Sequence, residues 1–293
     1  MASRNKPSII SKLRLSRRTQ LNGVFKGGEH PLWSRAGFSR SRIQLIEALG
    51  SRIVQIGFLI ALMVLWHLAT TVWGVSGILL PKPADVLREL IAELKAGRFL
   101  GDLRVTLFEL VVAFAISSTA GIAIGYFLSR SRYLIRVFDP LFSGIYAIPA
   151  ILFFPLYVLF FGLGPESKIA MGITISFFPI ALNTMAGFGN VEKIFIIAAR
   201  SMGCSNYQLF RWVLLPAAFP VILTGLRIGL ILAFLSILGS ETIGSFSGLG
   251  HRIVALAEGM DTARMFAYIA FAVAIAMILN VVVTFLESRG RRA

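Results

Sequence analysis

Phe195–Pro216 reads FIIAARSMGCSNYQLFRWVLLP, a helix-forming island of mixed polarity between strongly apolar segments. Ala198 and Ala199 leave one side of a first short helix slim, so another backbone can approach it closely. Gly203 supplies the freedom for a turn. Ser205, with Gln208 three residues later, forms the capping-box pair of a second short helix. Pro216 is expected to stop that second helix, because proline lacks an N–H and clashes with the preceding turn. Such a layout suits a plain amphipathic loop between helices as well as a docking element. The surrounding chain has to separate the two.

Outward from the island the chain is a membrane protein. Of its 293 residues 56% are hydrophobic and only 15% charged, with a mean hydropathy of +0.79. Six apolar runs are long enough to cross a bilayer. They fall near Ile53–Trp73, Val105–Ser129, Val137–Gly162, Ile169–Phe188, Ala217–Ser240 and Met265–Leu286. Pro149, Pro155 and Pro179 interrupt them, which lipid tolerates where neighbouring helices satisfy the freed backbone groups. The reading is an all-α integral membrane protein of six transmembrane helices. A single cysteine, Cys204, excludes a disulfide framework or a cysteine-rich metal site.

The formal charge of +15 is distributed as a membrane protein distributes it, and implies no nucleic-acid partner. With the amino terminus inside, twenty Lys and Arg and five acids lie on that side. Eight Lys and Arg face nine acids on the other, and Arg227 is left inside the fifth span. The positive-inside rule then makes both termini cytoplasmic and places residues 190–216 in the cytoplasm, between the fourth and fifth spans.

Residues 1–50 read as a basic, disordered cytoplasmic tail held near anionic headgroups. The first 28 residues, free of acid, also have the composition of an organellar transit peptide. Residues 51–293 form one six-helix membrane domain without an internal repeat. After the first span, Leu80-Pro81-Lys82-Pro83 breaks the chain. Val86, Leu87, Leu90, Ile91 and Leu94 then repeat at helical spacing, as in a helix lying on the membrane surface.

Enzyme motifs are missing from the sequence: it has no HExxH, no nucleophile elbow and no GxxxxGK[ST], so energy must come from a partner or an ion gradient. Glu109 and Glu241 are expected near span ends, where partial hydration makes them cheap. Asn183, Thr184, Ser236 and Asn280, together with Glu241, are candidates to line a path or to bridge helices. Gly121-x-x-x-Gly125 and Gly225-x-x-x-Gly229 allow close helix packing. An ion-coupled secondary transporter or channel would show an inverted repeat and acids at mid-membrane, and neither is evident.

The island resembles the "EAA" loop of ABC importer permeases, whose pattern is Glu-Ala-Ala, three residues, Gly, nine residues, then Ile-x-Leu-Pro. Ala198, Ala199, Gly203, Val213, Leu215 and Pro216 fall in register, while Ile197 stands where the family carries Glu. The Leu80-Pro81-Lys82-Pro83 step, the Gly162-Leu163-Gly164-Pro165 turn and Ser247-Gly248-Leu249-Gly250 after Glu241 are similar to the sulfonate, taurine and nitrate permease group. That resemblance covers roughly residues 55–288. It implies a type I importer permease fold in a bacterial inner membrane, with 190–216 as a coupling-helix loop. It also implies a homodimer or paired permease, two cytoplasmic ATPase subunits that bind ATP and Mg, and an extracytoplasmic substrate-binding protein. No cofactor is expected on this chain. Ile197, Ala198, Ala199, Gly203, Leu215 and Pro216 would contact or shape the ATPase-coupling element, and the cargo would be a sulfonate, taurine, nitrate or similar small anion.

Overall fold

A computed structural model describes residues 40–290, and the secondary structure of those residues is helical throughout. Of the tail expected over 1–50, residues 1–39 lie outside the described range. The chain divides into two compact units, Met1–Leu62 and Met63–Ala293. From Arg40 it forms α1 (Arg40–Thr71), a helix whose apolar side chains from Ile53 onward are exposed almost all round. A helix apolar on every face is suited to lipid or to another apolar surface.

Within the second unit, α2 (Pro83–Ala96) is the amphipathic helix expected after the first span. Pro83 opens it at a position where a missing N–H is harmless, Asp85 sits in the first turn and Lys95 in the last. Its partner is α11 (Thr262–Gly290). Arg264 of α11 lies 3.1 Å from the fully buried Glu93 and 3.5 Å from Glu89, and Arg98 holds Glu93 from the other side at 2.9 Å. The 3.1 Å contact is an ion pair whose angles do not align as a hydrogen bond.

The bundle centres on α6 (Pro165–Gly189), against which α3 (Phe99–Ser129) and α9 (Leu215–Ile243) pack most extensively. Small residues permit this. A Cβ on Gly125 would stand 2.6 Å from the Ala181 carbonyl oxygen, and one on Gly225 2.6 Å from the Asn183 Cβ. Ile180, fully buried, is wedged between Gly121 of α3 and Gly229 of α9. Both Gly-x-x-x-Gly steps therefore face α6. In lipid, where apolar burial alone drives little association, this close backbone approach supplies the packing. Leu110, Ala113, Ala233, Phe234 and Ile237 complete the core toward the far end.

Among the described residues five helices are long and apolar enough to span a membrane, or six if a bent pair counts as one. That pair is the expected third span. Instead of one helix over Val137–Gly162, α4 (Arg132–Tyr146) stops, a 3₁₀ turn covers Ala150–Phe153, and α5 (Phe154–Phe161) follows at 76°. Pro149 explains the break: it has no N–H to give, and it steers the residue before it out of helical conformation. Pro155, in the first turn of α5, then fits the restarted helix.

The second correction concerns Pro216, which does not stop a helix. From Asn206 to Ile243 the chain is one helical run through α8 (Asn206–Leu209), a π-helical turn (Phe210–Leu214) and α9. The π-turn reconciles proline with continuity. It widens the helix so that the Leu215 N–H reaches back to the Phe210 carbonyl, and Pro216 enters α9 in its first turn. Residues Leu249–Glu258 form α10, which joins α9 to α11.

Candidate functional site

The island 190–216 folds as helix, turn and helix. Its first helix, α7 (Lys193–Ser201), ends in a Schellman motif: the Gly203 N–H donates to the Arg200 carbonyl and the Cys204 N–H to the Ala199 carbonyl. Gly203 has φ +79°, a left-handed conformation that costs a side-chain-bearing residue about 1–2 kcal/mol. The capping box also forms. Gln208 N–H donates to the Ser205 hydroxyl at 3.3 Å, and Ser205 N–H to the Gln208 side chain at 2.8 Å.

Three rings hold this element on the bundle. Tyr126 at the end of α3, Phe188 at the end of α6 and Phe210 in the π-turn pack within 4.9–6.1 Å of one another, Tyr126 edge-on to the other two. Beneath them Ala218 and Ile222 are buried. Tyr126 and Phe188 therefore tie Phe210 of the loop to two different helices, so a displacement of one would be felt by the others.

The two faces of α7 differ. Ala199 is buried and Ile196 half-buried, turned toward the bundle. Ile194 and Ile197 are 66% and 63% exposed, with Phe195 and Ala198 exposed beside them. Across the turn Met202 and Tyr207 are also exposed. Of the expected coupling residues, then, Ile197 and Ala198 lie open and Ala199 packs inward. Gly203 makes the turn, while Leu215 and Pro216 belong to the start of α9.

The expected pathway residues each have a definite setting within or between helices. Asn183 donates to the Pro179 carbonyl at 2.8 Å, a bond made inside α6. Thr184 is fully buried against Gly125, and Ser236 is nearly so. Neither hydroxyl has a hydrogen-bond partner. Asn280 accepts from Arg227 at 3.1 Å, and the same guanidinium lies 3.6 Å from Glu287. Arg227 thus joins α9 to α11.

Glu109 and Glu241 are not hydrated span-end residues: each is only 1% exposed. They lie at the end of the bundle opposite the island, close enough for their charges to act on one another and on Lys168. The Glu241 carboxylate accepts from the Thr106 hydroxyl at 2.6 Å and from the Gly250 N–H at 2.7 Å. Thr106 in turn accepts from the Leu249 N–H at 3.0 Å. Lys168, fully buried, donates to the carbonyls of Leu163 and Gly164. Sequence reasoning missed this cluster because Thr106, Lys168 and Glu241 sit on three helices. The one local signal was Thr106 and Glu109 at i, i+3, which puts them on one helix face. Among the described residues no group of His, Cys, Asp or Glu is arranged to hold a metal ion.

Comparison with known proteins agrees with this architecture. Residues 117–292 match the family described as binding-protein-dependent transport system inner membrane component. The taurine transport system permease protein TauC of Escherichia coli K12 is 31% identical over 241 residues, covering 80% of this chain and 88% of that protein. The putative aliphatic sulfonates transport permease protein SsuC of Bacillus subtilis 168 is 27% identical, covering 78% and 83%. Among solved structures, an amino acid ABC transporter chain superposes with a TM-score of 0.54 at 22% identity, covering 69% of this chain and 97% of that one. An inward-facing MetNI methionine ABC transporter chain gives 0.54 at 20% identity, covering 65% and 93%. At these identities the superpositions show the fold.

Proposed function

The chain belongs to the family of inner membrane components of binding-protein-dependent transport systems, as a permease subunit of an ABC importer, and on that premise we propose how it is coupled and what it carries. α7 and the turn after it form the coupling element that docks on a cytoplasmic ATPase. The observation that carries this reading is the split face of α7: Ala199 anchors it to the bundle while Ile194 and Ile197 stand open on a rigid, capped helix. Ile197 in place of the family's Glu makes this contact apolar. The positive-inside distribution of Lys and Arg supports a cytoplasmic position for the loop and both termini.

ATP and Mg act on two partner ATPases, and closure of their nucleotide-bound dimer pulls both coupling elements of a paired permease. The three-ring contact of Tyr126, Phe188 and Phe210 then passes that displacement to α3, α6 and α9. The bundle switches between inward- and outward-open states as a body. Its cargo is a small organic sulfonate such as taurine, or a similar small anion, handed over by an extracytoplasmic binding protein. TauC and SsuC, named for taurine and aliphatic sulfonates, support this cargo.

The test is co-purification of the permease with the ATPase, followed by sulfonate uptake in reconstituted vesicles. Ile197→Asp places a charge on the apolar face and should release the ATPase while membrane insertion is unchanged. Retention of the ATPase by Ile197→Asp would sink the docking model. Taurine-independent ATPase and uptake rates would sink the cargo assignment alone.

A further inference from the structure

Between the island and the bundle lies a cleft of about 470 Å³ whose polar rim the coupling reading does not use. Arg130, the residue after α3, and Arg200, in the last turn of α7, both line it, with Ser129 and Asn206 between them. Tyr126 and Phe210 are among the rings and aliphatic groups of its floor. No acid lines it, and among the described residues neither arginine pairs with a carboxylate. Two guanidiniums in one cleft repel each other, and an anion between them removes that repulsion. The Ser129 hydroxyl donates to the Tyr126 carbonyl, and the arginine and Asn206 N–H groups are donors suited to phosphate oxygens.

Position decides what kind of anion. Ser129 ends the α3 span, and Gly189 ends the α6 span beside Phe188. The cleft therefore opens at the level where hydrocarbon meets headgroups. Exposed aromatic side chains of the kind enriched at membrane interfaces follow in the flanking segments: Tyr133 after α3, and Trp212 with the Arg211 guanidinium 5.4 Å over its ring. A cleft that is basic at its rim and apolar within, placed at span ends, has the form of a headgroup site.

We propose that Arg130 and Arg200 hold the phosphate of an anionic membrane phospholipid, with its upper acyl chain against the aromatic floor. The site is independent of ATPase docking. Arg200, Ile196 and Ala199 lie on the bundle side of α7, and Ile194 and Ile197 on the other, so lipid and partner do not compete. A lipid here bridges the end of α3 to α7 and steadies the loop against the bundle.

Native mass spectrometry of the full-length permease, titrated with phosphatidylglycerol and with phosphatidylcholine, tests the assignment. Phosphatidylglycerol should be retained about thirtyfold more tightly, the preference two basic side chains supply at a membrane surface. Arg130→Gln with Arg200→Gln should bring the two lipids level. Arg132→Gln with Arg136→Gln, in the neighbouring basic cleft, should leave the preference intact. Equal retention of both lipids by the wild-type protein overturns the proposal, with no need for a folded variant. So does a preference that survives the first double substitution or is lost in the second. If inorganic phosphate at matched concentration displaces the lipid, the cleft takes free anions and the lipid assignment fails.

Discussion

The Thr106 hydroxyl donates to the Glu241 carboxylate at 2.6 Å across 135 residues of chain, and the same oxygen accepts from the Leu249 N–H. One small, fully buried side chain thus joins α3, α9 and the start of α10.

Thr106→Val keeps the shape and removes the hydroxyl. A buried N–H and a buried carboxylate oxygen each lose a partner, which destabilises by about 1–3 kcal/mol. Thr106→Ser retains the hydroxyl and should melt close to wild type. Thermal unfolding in detergent measures both, and a Thr106→Val protein as stable as Thr106→Ser would show that the hydroxyl matters little.

Lys168 is the cation facing Glu109 and Glu241, and all three are buried. Lys168→Met fills the space, takes the donor from the Leu163 and Gly164 carbonyls and removes the cation nearby. Losing hydrogen bonds from a charged donor costs about 1.5–3 kcal/mol, so this variant should accumulate less in membranes. Lys168→Met combined with Glu109→Gln should recover part of the loss. Equal yields of single and double variants would show that the charges do not interact.

Glycines within one helix should respond with opposite sign. Gly125→Ala drives a Cβ toward the Ala181 backbone oxygen and must spread α3 from α6. Gly101, also in α3, has nothing within 4 Å, and alanine there should stabilise by about 0.5–1 kcal/mol. Melting temperatures in detergent decide, and a Gly125→Ala protein at or above wild type refutes the close packing.

At Gly203 the requirement is conformational, since an added Cβ meets nothing within 4 Å. Asparagine tolerates the left-handed region and valine does not. ATPase-coupled uptake should therefore rank Gly above Asn above Val at this position, with similar protein levels in the membrane. Uptake by Gly203→Val at the wild-type rate would remove the turn from the coupling mechanism.

Local features of this chain were legible because their causes are local. The capping box at Ser205 and Gln208, the helix stop at Gly203 and the amphipathic helix after Pro83 each depend on residues within one or two turns. Apolar runs announced the spans for a similar reason, since hydrocarbon thickness sets their length. The failures share a cause as well. Pro149 bends the third span by 76°, whereas Pro216 is absorbed by a π-turn. A proline's effect depends on whether the neighbouring carbonyls find other partners.

Glu109 and Glu241 looked inexpensive at span ends because hydration is judged one helix at a time. Their burial arises only when α3, α6 and α9 close around them and Lys168 arrives from the third. The arginine cleft has the same origin, with Arg130 and Arg200 seventy residues apart in the chain. Composition and periodicity settle that this chain enters a membrane and which segments are apolar enough to cross it, because lipid imposes that on each segment separately. Which charges meet, which face of α7 is open and where a headgroup can sit depend on how the helices pack, through distances between residues remote in sequence.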